Sequence, residues 1–297
     1  MSLIRENFIE LEGSIQKVFD AYSKQKTDYK KMLYNVAKST RSQENHRGLG
    51  ALAKMEAWDG SVSYQEFAKG YNKSYRHSKF STGIQVEREV IMFEEYAEIK
   101  KRANKLAYSV EKTLAYYAYQ PFAQAFNASV TGPDAVSLCN ASHHIVAGDD
   151  AQSNTGTSDM MVDSIEATKI LGRKFKDDKG DIMDVNLNLI VCGTYWEKTA
   201  KQIVGSDKEP YVADNQKNIY KDELNYMVLP HIEDHKWFLV SAELMKGGDG
   251  LNWYDARDPR KVEYVDDFDT EVGKYKCVGM WSYGWDTWHW CYGHNPS

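Results

Sequence analysis

From Phe93 to Phe126 apolar residues return at three- and four-residue steps: Phe93, Tyr96, Ala97, Ile99, Ala103, Leu106, Ala107, Val110, Leu114, Tyr117, Phe122 and Phe126. That period predicts one amphipathic helix over 93–126. At about 1.5 Å per residue it is roughly 50 Å long, well beyond an ordinary globular helix, so the rest of the chain has to be organised around it. Glu94, Glu95 and Glu98 fall in the first turns, where the positive helix pole favours acids, and Glu98 with Arg102 forms an i,i+4 pair in the favourable order. Pro121 removes an intrahelical bond, which predicts a kink or a new short helix near it.

The flanks read differently. Residues 1–38 show helical spacing (Leu11, Ile15, Val18, Phe19, Tyr22) interrupted near Gly13, and the polar RSQENHRGLG stretch at 41–50 reads as a flexible joint. From Trp58 to Val90 glycines lie among aromatics. Short extended pieces fit better than helix, and Tyr64, Phe67, Tyr71, Tyr75 and Phe80 are more rings than such a segment can bury by itself.

Beyond the long helix, a helix is expected from Val162 to Phe175, capped by Asp163 or Ser164, with Ala167, Ile170 and Leu171 inward. A strand is expected at Asp184–Cys192, a short helix at Tyr195–Val204, and strands at Asn225–Leu229, Lys236–Ser241 and Val262–Val265. The chain closes on an aromatic ladder in which Tyr275, Cys277, Gly279, Trp281, Tyr283 and Trp285 occupy alternate positions. Trp288, Trp290 and Tyr292 continue it one residue out of phase, which predicts a bulge or turn near Asp286.

Little chemistry is written here. The net charge of -6 argues against a global grip on nucleic acid or anionic membrane. No window approaches the roughly 18 apolar residues of a membrane helix. Cys139, Cys192, Cys277 and Cys291 are too far apart for a metal knuckle or a CxxC pair, and reduced cytoplasmic thiols are the expectation. His143-His144 with Cys139 is the most ligand-like group, but adjacent histidines on extended backbone face opposite ways, so a polar loop is the better reading. Without a phosphate cradle, nucleophile elbow or HExxH, neither an enzyme nor a cofactor is expected. The ladder leaves two readings, an aromatic carbohydrate-binding module or the core and contact surface of an assembling subunit.

The order of elements resembles the major head proteins of tailed bacteriophages with the HK97-type α+β capsid fold, most closely the Mu-like major head subunits. The resemblance rests on AWDGSVSYQEFAKGYNKSYRHSKF, the helix after IQVEREVIMFEEY, DVNLNLIVCGTYWEKTAKQIV, VLPHIEDHKWFLVSA and the closing ladder. It implies an N-terminal arm (1–50), an extended β-hairpin loop (51–90), a peripheral domain with the spine helix (91–183), an axial domain (184–246) and strands returning to the peripheral domain (247–297).

It further implies copies arranged in hexamers and pentamers of an icosahedral head, assembled in the bacterial cytoplasm and enclosing double-stranded DNA without sequence-specific binding. A scaffolding protein, a portal and a decoration protein are the implied partners. Phe67, Tyr71, Tyr75 and Phe80 would lay rings on a neighbour, while Arg76, Lys79 and Arg88 would meet its Glu94, Glu95 and Glu98. Replacing Tyr71 and Tyr75 by Ser is then expected to impair assembly while leaving circular dichroism of the subunit nearly unchanged.

Overall fold

The computed structural model describes residues 3–62, 64–93, 95–144, 151–210, 217–233, 235–267 and 270–296. Helix α1 (Leu3–Lys24) and the short α2 (Tyr29–Leu33) lead into strands β1 (Asn35–Lys38), β2 (Gln43–Leu49), β3 (Lys69–Arg76) and β4 (Ser78–Glu87). A single turn, α3 (Arg88–Met92), precedes the long helix α4 (Tyr96–Ala123). Then come β5 (Thr155–Gly156), α5 (Val162–Gly172), β6 (Leu189–Cys192), α6 (Glu197–Gly205), β7 (Asn225–Val228), β8 (Trp237–Val240) and α7 (Ala242–Met245). Strands β9 (Leu251–Arg257), β10 (Val262–Asp267), β11 (Val272–Trp285) and β12 (Cys291–His294) end the chain.

Helix α4 buries Ile99, Ala103, Leu106, Ala107, Val110, Leu114, Ala118 and Phe122, the stripe its spacing sets. Pro121 does not divide it. The proline stands in the last turn, where the bond it removes has almost no helix left to interrupt. Helix α1 also runs unbroken, through Gly13, because Leu11, Ile15 and Phe19 on one side of it are buried in the common core. A bidentate pair ties this layer to the sheet, with the Arg260 guanidinium donating to both Glu111 oxygens at 2.8 and 3.0 Å.

Two five-stranded sheets flank the helices. One is ordered β1-β9-β11-β10 with β4 also on β11; the other is β5-β12-β8-β6-β7. The slip in the ladder falls between them. Strand β11 ends at Trp285, the chain turns through Asp286–Trp290, and β12 joins the second sheet against β8. A separate bulge, at Met280/Trp281, bends β11 where it pairs with β9.

Three local expectations need correction. Residues 43–49 are not a joint but strand β2, antiparallel to β3 in a sheet of two. Helix α5 turns its other face inward. Ala167, Ile170 and Leu171 are exposed while Ile165, Thr168 and Lys169 are buried, because Thr168 meets His294 and Lys169 pairs with Glu223. Its N-cap is Met161, with no side-chain cap bond.

Candidate assembly interface

Strands β2 and β3 form a hairpin arm whose two strands touch each other and whose connection, residues 50–68, has no helix or strand among the described residues. At its throat the strands cross very closely. A Cβ on Gly48 would lie 2.6 Å from the Tyr71 carbonyl oxygen, so only glycine fits. The Gly50 N–H donates to Ala68 O at 2.8 Å, which closes the neck. The apex is the Asp59-Gly60-Ser61 turn, where Gly60 has φ +109° and Asp59 accepts from Ser61 N and Oγ.

The root of the arm is pinned to the body. Asp286 accepts from Tyr75 Oη at 2.6 Å, from His46 Nδ1 at 2.6 Å and from Asn252 Nδ2 at 3.0 Å. A carboxylate can only accept here, so Nδ1 carries the His46 proton, and in the neutral ring Nε2 accepts from Tyr254 Oη at 2.6 Å. Burial, followed by the Asp286 charge, raises the Tyr75 phenol well above its ordinary value and pushes Tyr254 up to about 12. Both stay protonated donors at any physiological pH. A second tie lies farther out, where Asp178 accepts from Ala51 N at 2.7 Å and Asp181 pairs with Lys54.

Past those ties the connection is bare. Met55, Tyr64, Trp58 and Phe67 are 98, 91, 74 and 56% exposed. Exposed large apolar side chains gathered on one segment are a feature of interaction surfaces.

The residues expected at the contact divide accordingly. Phe67 is exposed on the connection, Tyr71 is half-buried on β3, and Arg76 and Lys79 are exposed. Tyr75 and Phe80 are corrections. Tyr75 is only 2% exposed, held by Asp286, and Phe80 stacks on Trp281 at 4.2 Å and leans on Tyr117 at 4.7 Å. Both rings are committed inside their own subunit. The Tyr75→Ser half of the expected test would therefore damage the subunit itself.

The charged set is rearranged too. Arg88 pairs with Glu271 at 2.8 Å, Glu98 is held by Arg102 at 3.3 Å, and Arg102 also binds Glu87 at 2.7 Å. Glu95 is exposed, and Glu94 lies outside the described residues. Sequence reasoning missed Met55 and the Asp286 hub. Met55 carries the local signal of an apolar residue in a polar stretch, whereas residues 46, 75, 252, 254 and 286 meet only in space.

The other candidates resolve into packing. His143 is buried, bonded through Nδ1 to Asp134 at 2.5 Å and through Nε2 to Asn154 at 3.0 Å, and its ring stacks on Trp288 at 4.4 Å. Among the described residues no group of three or more His, Cys, Asp or Glu converges as a metal site. A sugar platform needs bare rings. Trp237, Trp253, Trp281, Trp285, Trp288 and Trp290 are all buried, so the ladder is core and the carbohydrate reading loses its surface.

A family model described as phage capsid protein matches residues 70–290, well over half the chain. The chain belongs to the phage capsid protein family. The fold of this capsid protein agrees. The capsid of bacteriophage JBD30, decorated with minor capsid protein trimers, matches with a TM-score of 0.54 at 13% identity, covering 70% of this chain and 92% of that one. The capsid of an empty GTA particle matches with a TM-score of 0.53 at 8% identity, covering 90% and 88%. The JBD30 procapsid matches with 0.52 at 11% identity over 100% of this chain and 77% of that one. The architecture is the α+β, HK97-type capsid fold. No curated protein sequence matches.

Proposed function

We infer that this chain is the major head protein of a tailed phage, of the Mu-like kind, and that its copies close as hexamers and pentamers into an icosahedral shell. Its role is structural rather than catalytic, and its place is the virion. The observation that carries the reading, beyond family membership, is the arm. It is rooted at Asp286 by hydrogen bonds, and it ends in exposed Met55, Trp58, Tyr64 and Phe67. A monomer gains nothing from holding rings in water; a subunit that lays them on its neighbour removes them from it.

Many copies of a weak contact suffice in a closed shell. The body 91–183, the unit 184–246 and the returning strands 247–297 then correspond to peripheral domain, axial domain and their link. The shell encloses double-stranded DNA and is built in the host cytoplasm with a scaffolding protein and a portal. The decorated JBD30 capsid supports a decoration protein here as well.

Electron microscopy of particles from cells expressing the chain with its flanking genes tests this. Shells of uniform size are expected. Replacing Trp58 and Phe67 together by Ser should abolish them while leaving circular dichroism of the subunit unchanged. Wild-type shells from that variant would remove the arm from the interface.

A further inference from the structure

Two of the four cysteines meet. Cys139, on the chain that returns from α4, has its Sγ 4.0 Å from that of Cys291 on β12, across 152 residues of sequence, and the two residues are only 3 and 0% exposed. The other two, Cys192 on β6 and Cys277 on β11, stand in different sheets.

The contact is held from several sides. Buried Asn154 donates through Nδ2 to Leu138 O at 2.8 Å and to Cys291 O at 3.1 Å, and its Oδ1 accepts from Asn140 N at 2.8 Å. One amide thus grips the residues on both sides of Cys139 and Cys291 itself. Cys139 N donates to Ala125 O at 2.8 Å, just past the end of α4. Gly293, on the same face of β12 as Cys291, leaves room for the Cys139 sulfur, since a Cβ there would lie 2.5 Å from it. With the sulfurs already in van der Waals contact, a bond needs them about 2 Å closer.

We infer that Cys139 and Cys291 form a disulfide once the head has left the reducing cytoplasm, fastening the end of the long helix to the second sheet. The timing rests on the head-protein reading; the pairing does not. The oxidant is hydrogen peroxide, small enough to enter where a bulky disulfide cannot. Cys139, two residues from exposed Ala141, takes one peroxide oxygen to give a sulfenic acid and one water. The Cys291 sulfur then attacks the Cys139 sulfur, the S–O bond breaks as the S–S bond forms, and hydroxide leaves with the Cys291 proton as a second water. Burial raises the Cys291 thiol well above its ordinary value, so little thiolate is present and the second step is slow.

Peptide mapping without reductant tests this. Wild-type shells denatured in N-ethylmaleimide directly at lysis should carry both thiols, and shells first held in hydrogen peroxide should yield a linked 139–291 peptide. The same oxidation of the isolated subunit should raise its Tm by roughly 5–10 °C, reversed by dithiothreitol. Cys139→Ala or Cys291→Ala should abolish the link and the rise, whereas Cys192→Ala with Cys277→Ala should keep both.

Oxidised wild-type chain that retains the two thiols, stops at the sulfinic acid or links either sulfur to Cys192 or Cys277 overturns the pairing and leaves the head assignment intact. A linked peptide without a higher Tm overturns the fastening role, and a linked peptide in shells quenched at lysis overturns the timing. Chain that forms no shells overturns the head assignment and the timing together, while the subunit still reports the pairing.

Discussion

Asp286→Ala removes a single acceptor that three donors share, and the geometry allows its cost to be worked out. Tyr75 Oη and His46 Nδ1 approach it at 2.6 Å, distances typical of bonds to a carboxylate, each worth roughly 1.5–3 kcal/mol. Asn252 at 3.0 Å adds roughly 1 kcal/mol. The sum overstates the loss. The His46 side chain is one-third exposed and water can replace its partner, and Asn252 keeps its bond to Gly248 O. Tyr75 has no such recourse, because its buried hydroxyl is left without an acceptor.

We expect about 3 kcal/mol from Asp286→Ala and about 1.5 kcal/mol from Tyr75→Phe, which keeps the ring and deletes only the donor. The double variant should cost little more than Asp286→Ala alone, giving a coupling energy of about 1.5 kcal/mol. Guanidinium unfolding of the subunit, followed by tryptophan fluorescence, measures all three. An Asp286→Ala cost below about 1 kcal/mol, or additive single costs, would show that the hub does not hold the arm.

Two further outcomes follow from the helix and the second sheet. A Cβ on Gly13 meets nothing within 4 Å, so Gly13→Ala should stabilise the subunit by about 0.4–1 kcal/mol, seen as a higher denaturant midpoint. Burial lowers His289 and His294 to about 4 from the ordinary 6.5, so the unfolded chain takes up their protons first as pH falls. The stabilising effect of keeping them neutral is complete above pH 6.5 and is lost as pH falls towards 4, to the extent of about 3 kcal/mol for each ring. His289→Leu should flatten the slope of stability against pH in that window by up to about 1.4 kcal/mol per pH unit, and an unchanged slope would refute the assignment.

How far the sequence could be read depends on whether burial and polarity agree locally. Along α4 they agree, because one stripe is apolar and faces the core, and the spacing places the helix to within three residues at either end. They part company in β9, which sequence reading passed over. Asn252 sits at a buried position in Leu251-Asn252-Trp253 because Asp286 and the Gly248 carbonyl satisfy its amide, and a polar letter inside the strand erases the alternation. They part again in α5, where buried Thr168 and Lys169 owe their position to His294 and Glu223, far along the chain. Strand β2 has no continuous apolar face, since its sheet has two strands and meets the body only at its root, through His46 and Tyr75.

The candidate interface shows the same division in a single residue. The phase change in the closing ladder announces that something happens at Asp286, and a bulge is the cheapest reading of such a slip. In the fold the slip is where the chain leaves one sheet for the other, and a turn between two sheets leaves an acceptor facing sideways, towards the root of the arm. The pattern therefore locates the break and is silent on what the break holds, because His46, Tyr75 and Asn252 reach Asp286 across 240, 211 and 34 residues of sequence. That hub ties the root of the arm to the body. On the proposed arm contact, loosening this tie should change the curvature of the shell before it changes the chemistry at the tip, and Tyr75→Phe shells measured by electron microscopy should vary in diameter while still closing.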